Sequence, residues 1–273
     1  MPLDSSSPYA LLASACQRDA ARPSLTWYDN DTGERAELSG ATLLNWVNKT
    51  ANFMIDELSV QPGVSISLQL PRHWLTAAWW LAALTVGAQP QIGQPRRDGL
   101  DLPAGNVDIA VFGPDAVAHL ARPIGNPPQV RVEHQVAVAL TPMAIGIGGA
   151  LPAGIIDFEV EVRSQPDAFM GTDEGDPALG LAAADRARAW SLTSSDRLMA
   201  AGPWLGEDDL VRDLLAPLAG DASCVWVRNP DPVKDVQLAV AEHVTVTTMG
   251  ATELPLPGTQ TADEPGAPIR YLT

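Results

Sequence analysis

Lysine is nearly absent from this chain. Of 273 residues 17 are basic, and only Lys49 and Lys234 are lysine. Against 33 acidic residues this leaves a formal net charge of -16 and a pI near 4.4. A surface that tracks nucleic-acid phosphates needs clustered Lys and Arg to displace condensed counterions, so a nucleic-acid role is excluded. A reaction that needs a catalytic lysine has two positions to draw on. Cysteine is equally scarce: Cys16 and Cys224 stand alone, with no second thiol nearby to make a metal pair or a disulfide framework, and reduced thiols are expected. Long apolar runs are missing too. The longest, Trp74 to Ala88, is too short to span a bilayer as a helix. The first twenty residues hold no basic stretch ahead of an apolar run, so no secretory signal is read there. The expectation is a soluble, cytoplasmic protein with no nucleic-acid or membrane partner.

What is present describes a folded chain. Hydrophobic residues make up 46% and charged residues 18%, which is not the low-hydrophobicity, high-charge signature of disorder, while 24 prolines and 22 glycines predict many ordered loops. The run Asp29 to Gly33 sits between the apolar positions Leu25, Trp27 and Ala36, Leu38 and reads as a hairpin. Ser39 then caps a helix that places Leu43, Leu44, Val47, Ala51, Met54, Ile55 and Leu58 on one face. Pro62-Gly63 breaks the chain before a strand marked by Val64, Ile66, Leu68 and Leu70. Arg72 to Val86 reads as a helix that is apolar nearly all round and is therefore expected between layers, ending at a left-handed cap at Gly87.

Apolar runs at Ala88 to Ile92, Val107 to Phe112 and Val136 to Leu140, with a short helix over Asp115 to Leu120, carry an α/β rhythm. Pro152 opens a helix through Ile155, Ile156, Phe158 and Val162, although Phe158 to Val162 also suits a strand. Helices over Asp185 to Trp190, Glu207 to Leu218 and Val233 to His243 alternate with strands over Arg197 to Ala201, Ser223 to Val227 and Val244 to Met249. The fold class expected is a layered α/β/α protein over 1–273, with subdomains of about 1–165 and 166–252 left open. A proline-rich extended tail covers 253–273.

The order over SLTWYDNDTGERAELSGATLLNWVNKTANFMIDELSVQPGVSISLQLPRHWLTAAWWLAALTVGAQPQIG resembles the opening of adenylate-forming (AMP-binding, acyl-CoA synthetase-like) enzymes: hairpin, helix, a Pro-Gly-Asp strand ending in Pro-Asn, an apolar helix and a strand. Pro62-Gly63-Val64 and Pro71-Arg72 stand where that pattern has Pro-Gly-Asp and Pro-Asn. DPAL at Asp176 to Leu179 resembles the family's D-x-A-x-I strand. Asp196 to Val227 is similar to its Asp-Arg-Val-Leu block, and Ala241 to Gly250 to the strand after it. The likeness runs from about Ser24 to Gly250, so the chain corresponds to roughly the first half of a full synthetase. It is also similar to a group of short actinobacterial proteins with this truncated pattern.

The resemblance implies a Ser/Thr/Gly-rich loop ending Pro-Lys-Gly, whose amides and lysine hold ATP phosphates, between the DPAL and DRLM segments. Such a loop needs donors and positive charge. LGLAAADRARAWSLTSS stands there instead, with one glycine and no lysine, and Asp173, Glu174 and Asp176 would repel an anion. The Tyr-Gly-x-Thr-Glu turn, the Tyr-x-Thr-Gly-Asp motif and the C-terminal lysine of the family are not found. Lys49 and Lys234 fail on position and are read as solvated surface residues.

Other candidates give way to plainer readings. Gly146, Gly148 and Gly149 lack GxGxxG spacing and read as a loop. Glu207, Asp208 and Asp209 suit the first turn of a helix, where the dipole favours acids. His73, His119, His134 and His243 show no ligand spacing, and Ser39, Ser191, Ser194 and Ser195 lie outside a G-x-S-x-G elbow. Trp74, Trp79 and Trp80 suit either an acyl pocket or, more simply, core; exposed, they would offer a face to a partner chain carrying the missing half. No catalytic, cofactor-binding or metal residue and no cofactor is assigned. The functional expectation is a degenerate adenylate-forming-like pseudoenzyme without ligase activity, kept for a binding or interaction role that leaves room for a protein partner or self-association. The alternative is a protein or enzyme that keeps part of the AMP-binding pocket for an acyl or nucleotide ligand.

Overall fold

A computed structural model describes residues 7–93, 107–120, 132–141, 145–204, 206–250, 254 and 269–272. Helix α1 (Pro8–Arg18) is capped by the Ser7 hydroxyl, which accepts from the Ala10 amide at 3.1 Å. Strands β1 (Pro23–Asp29) and β2 (Arg35–Ser39) form the expected antiparallel hairpin, turned at Gly33 with φ +76. Helix α2 (Gly40–Asp56) follows at once, and the Ser39 hydroxyl accepts from the Thr42 amide at 3.2 Å. Then come β3 (Ser65–Gln69), α3 (Trp74–Thr85) and β4 (Gln89–Ile92). Gly87 takes φ +71 after α3, as its place past a helix end predicts.

Next are β5 (Val107–Phe112), α4 (Pro114–Leu120), β6 (Val132–Ala137), β7 (Ile155–Asp157) and α5 (Phe158–Glu161), the last running into a single 3-10 turn at Val162–Ser164. Helix α6 (Pro177–Ala189) leads to β8 (Arg197–Ala201). Then α7 (Glu207–Leu210), a π segment (Val211–Leu215) and α8 (Ala216–Ala219) run on as one continuous helical stretch. Strand β9 (Ser223–Arg228), α9 (Pro232–Ala241), β10 (Val246–Thr247) and β11 (Arg270–Tyr271) complete the set.

Two sheets result. The first has the order β11-β10-β8-β9-β1-β2, parallel except for β2, and the second the all-parallel order β4-β3-β5-β6-β7. The first sheet takes strands from both sides of residue 165, because β1 pairs with β9 in the register Leu25 to Cys224. All twelve residues of α3 are buried, and the helix touches β1 of the first sheet, β3 and β4 of the second, and α1 and α2. One continuous apolar core therefore includes both sheets, from Leu25, Trp27, Leu198 and Trp226 to Ile66, Leu68, Val111 and Val136. Trp79 lies at its centre, with its ring 4.8 Å from that of Phe158 and 6.0 Å from that of Phe53.

The connection back to the first sheet is held by polar side chains of α2. Asn48 donates to the Asp167 carbonyl at 2.9 Å, and Lys49 donates to the Gln165 carbonyl and pairs with Asp167 at 2.9 Å. Asn52 donates to the Pro166 and Ala168 carbonyls and accepts from the Met170 amide.

Several expectations need correcting. Strand β6 begins four residues earlier than expected, because the polar residues His134 and Gln135 still enter the ladder with β5 and Glu133 lies within the strand. Ile155 and Ile156 are strand, not helix: they pair with Gln135 and Val136, and helix begins only at Phe158. DPAL is not strand but the start of α6, where the Asp176 carboxylate accepts from the Ala178 amide at 2.8 Å and Pro177 takes the first position. Helix α1 was not anticipated, and the tail supplies β11 to the first sheet at Arg270 and Tyr271. The rest of the expected tail lies outside the described residues, apart from Leu254, which is buried.

Because Trp79 is fully buried, Trp79→Ala is expected to lower stability by roughly 3–5 kcal/mol. Chemical denaturation checks this, and a loss below about 1 kcal/mol would contradict so tight a core.

Candidate functional site

The place where the sequence resemblance implies a phosphate loop, after DPAL, is taken by helix α6, and the residues that lead into it satisfy one another. Asp173 accepts from the Ser7 hydroxyl and from the Gly175 amide, the latter at 3.0 Å. The Glu174 amide donates to the Thr85 carbonyl at 2.9 Å, and Asp176 holds the Ala178 amide. These backbone donors are spent on carboxylates and a carbonyl, so they form no cradle for an anion. The basic residues of α6, Arg186 and Arg188, lie in its last turn, where they complement the negative end of the helix dipole. A groove of about 730 Å³ opens at that same end, between Arg18, Arg188, Ser191, Thr193 and Asp221. A triphosphate needs converging donors and positive charge, and the residues around Gly171 to Asp176 do not fit one.

A smaller cavity, about 200 Å³, lies at the carboxyl ends of β3, β8 and β9, lined by Leu70 to Arg72, Gly202 to Trp204 and Arg228 to Pro230. Ligands of open α/β sheets bind outside the carboxyl ends of strands, so this edge is where the fold places a site. Its centre is Arg72, 2% exposed. The Arg72 Nε donates to the Gly202 carbonyl at 2.7 Å, and Nη2 pairs with Asp213 at 2.9 Å. The guanidinium lies 5.0 Å from the centre of the Trp204 ring and 5.7 Å from that of Trp226. Asp213 projects from the π segment and is shared: it also pairs with Arg212 at 2.8 Å and accepts from the Thr248 hydroxyl at 3.1 Å. Burial pushes the Arg72 pKa down while Asp213 pulls it up, and an arginine keeps its charge in such a setting. Arg72 Nη1 has no partner. Arg228, which also lines the cavity, lies 3.5 Å from Asp29, whose other oxygen accepts from the Asn229 side chain at 2.8 Å.

The remaining residues singled out by sequence do not converge. Lys49 is half-buried and binds the segment around Gln165, while Lys234 is exposed, as expected, and its ammonium donates to the Asn30 carbonyl at 2.5 Å. Gly146, Gly148 and Gly149 all take positive φ in a loop whose Ile147 amide donates to Asp157. Asp209 accepts from the Gly206 amide and pairs with Arg212 at 2.8 Å, the helix-start role expected of it. Trp74, Trp79 and Trp80 are core and offer no face to a partner chain. Among the described residues no group of three or more His, Cys, Asp or Glu could hold a metal ion, and no helix is long and apolar enough to cross a membrane.

The chain is 35% identical over 245 residues to the "TIGR03089 family protein" of Mycobacterium tuberculosis (strain ATCC 25618 / H37Rv), covering 86% of this chain and 95% of that protein. The chain belongs to the TIGR03089 family. No protein-family model matches it. Its fold is that of the N-terminal part of acyl-CoA synthetases. It resembles an acyl-CoA synthetase of Brucella canis with a TM-score of 0.65 and 17% identity, over 87% of this chain and 47% of that one. The acetoacetyl-CoA synthetase of Streptomyces lividans matches with a TM-score of 0.65 and 17% identity, over 90% of this chain and 43% of that one. The N-terminal domain of FACL13 from Mycobacterium tuberculosis matches at 0.60 and 13% identity, over 89% and 62%. This member of the TIGR03089 family thus spans about half the length of the full synthetases it matches.

Sequence reasoning missed Arg72, Asp213 and Glu159. Glu159 is fully buried in the first turn of α5; Oε1 accepts from the Ala139 amide at 2.7 Å, and Oε2 has no partner. Burial, reinforced by nearby Asp157, pushes its pKa up to about 7. His73 is likewise buried: Nδ1 accepts from the Leu75 amide at 3.1 Å, capping α3, and the ring lies 4.3 Å from that of Trp27. Burial and then the Arg228 charge push its pKa down to about 3.

The two groups have opposite effects on stability. Glu159 has a raised folded pKa, so its contribution is full below about 4.5 and is lost as pH rises through about 7. His73 has a depressed one, so its contribution is full above 6.5 and is lost as pH falls toward about 3. Between these limits the slopes oppose each other. Glu159→Gln is therefore expected to gain on the wild type by up to about 3 kcal/mol between pH 4.5 and 7.5. Urea midpoints across pH check this, and parallel curves for the two proteins would refute it.

Proposed function

We propose that this protein is an adenylate-forming-like binding protein without ligase activity. The observation that carries this reading is that helix α6 fills the place of the phosphate loop, with Asp173, Glu174 and Asp176 at its start and the Gly175, Ala178 and Glu174 amides already engaged. A charged phosphate brought there would meet like charge, and these three amides are not free to receive it. The scarcity of lysine supports the same reading, since both lysines hold backbone carbonyls elsewhere in the fold. The matched M. tuberculosis relative supports a role that does not need the second half of a synthetase, because the likeness covers 95% of that relative.

A second reading, a surviving ligand pocket derived from the ancestral site, is favoured by the cavity beside Arg72. In this reading binding takes place at the carboxyl edge of β3, β8 and β9, not at the lost phosphate loop.

Purified protein is expected to catalyse no ATP–pyrophosphate exchange above background with a panel of short, medium and aromatic acids. Robust exchange with any of them would overturn the proposal. A ligand of the surviving pocket should raise the melting temperature by mass action, about 2.7 kcal/mol of added stability at a hundredfold excess over Kd.

A further inference from the structure

We infer that the cavity at the carboxyl ends of β3, β8 and β9 is a site for a small oxoanion, a carboxylate or a phosphate, held between Arg72 and Arg228. This inference rests on the reading that the protein acts by binding at this edge, and it adds the chemical class of the ligand.

Three observations carry it. The first is the unfinished guanidinium of Arg72. Nε and Nη2 are held by the Gly202 carbonyl and Asp213, yet Nη1 is buried without a partner on a side chain that lines the cavity. A buried charged donor left unsatisfied is costly, and an acceptor supplied by a ligand relieves that cost. Trp74, Trp79 and Trp80 also have unpartnered ring nitrogens, but all three lie within the apolar core. The second is rigidity. The faces of Trp204 and Trp226, the Gly202 carbonyl and Asp213 fix the guanidinium from several directions, so little freedom is lost when a ligand arrives. The third is a second guanidinium lining the same cavity. Arg228 lines the cavity, its side chain is 32% exposed, and its distance to Asp29 is a loose 3.5 Å. Its charge reaches far enough into the edge to depress the His73 pKa.

The chemistry of the ligand follows from the donors. Guanidinium groups donate and never accept, and their fork matches the paired oxygens of a carboxylate or phosphate. A volume of about 200 Å³ falls below the range of drug-sized pockets, which limits the occupant to a small anion or the charged head of a larger one.

The test uses the full-length protein, titrated with inorganic phosphate in one arm and with acetate, butyrate and benzoate in the other. Each is compared with sodium chloride at matched ionic strength, by calorimetry and thermal shift. Saturable binding of at least one oxoanion is expected, weakened by on the order of tenfold in Arg228→Gln, the scale of one charge-assisted hydrogen bond. Arg72→Lys keeps the charge but loses the fork and should weaken binding as well. Should that variant fail to fold because Asp213 loses its partner, Arg228→Gln still decides. A response to phosphate alone or to carboxylates alone identifies the ligand, and a response to both assigns a shared oxoanion site. No saturable effect beyond that of chloride, or an unchanged affinity in Arg228→Gln, overturns the inference. Pyrophosphate exchange measured on the same preparations separates the two claims. Exchange together with anion binding overturns the non-ligase reading and leaves this site standing, whereas neither exchange nor binding removes the site alone.

Discussion

Helix α3 has no side turned to water. All twelve residues from Trp74 to Thr85 are buried, three of them tryptophan, and no single sheet can cover a cylinder on every side. The chain must therefore build two sheets and pack them around one helix, with α1 and α2 closing the gap. The other features follow from this demand. The hairpin β1-β2 has to lie in the first sheet although its neighbours in sequence belong to the second, and the chain must cross back by way of the segment that Asn48, Lys49 and Asn52 hold down. At the top of the sandwich Arg72 joins the layers. Its carbonyl accepts from the Trp27 indole and its side chain reaches the end of β8 and the π segment.

The sequence was readable wherever local chemistry and tertiary placement agreed. Ser39 as a cap, Gly33 in a turn, Gly87 past a helix end and the all-round apolar run of α3 are dictated by steric and solvation rules that act within a few residues, and each is found as expected. Misreadings occurred where a long-range partner decided the outcome. Glu133 to Gln135 look unlike strand until the ladder with β5 is formed. Ile155 and Ile156 have helical neighbours in sequence but strand neighbours in space. At Asp176 the family resemblance outweighed a plain capping signal, an aspartate followed by proline, and the capping signal was right.

The candidate site was the least legible part, for a physical reason. Arg72 is one arginine after a proline, and its importance comes from Asp213, Trp204 and Trp226, which lie more than a hundred residues away in the chain. Burial is what distinguishes it from the other described arginines, and burial is a property of the assembled layers. Glu159 shows the same limit, since nothing in FEVE announces a carboxyl enclosed behind the Ala139 amide. The segment Gly171 to Asp176 was easier, because like charges crowded in sequence remain crowded in space.

The pairing of β1 with β9 also has a consequence for the order in which the molecule is made. The Asn229 side chain bonds Asp29 across 200 residues of chain, so at ribosomal speeds of about 5–20 residues per second the hairpin waits about ten to forty seconds for its neighbour. During that interval one edge of β1 has unpaired backbone groups, and the first sheet closes only when most of the chain has emerged. The second sheet is contiguous in sequence and has no such delay. The two layers thus mature at different times, with α3 covered first by the layer it is translated beside.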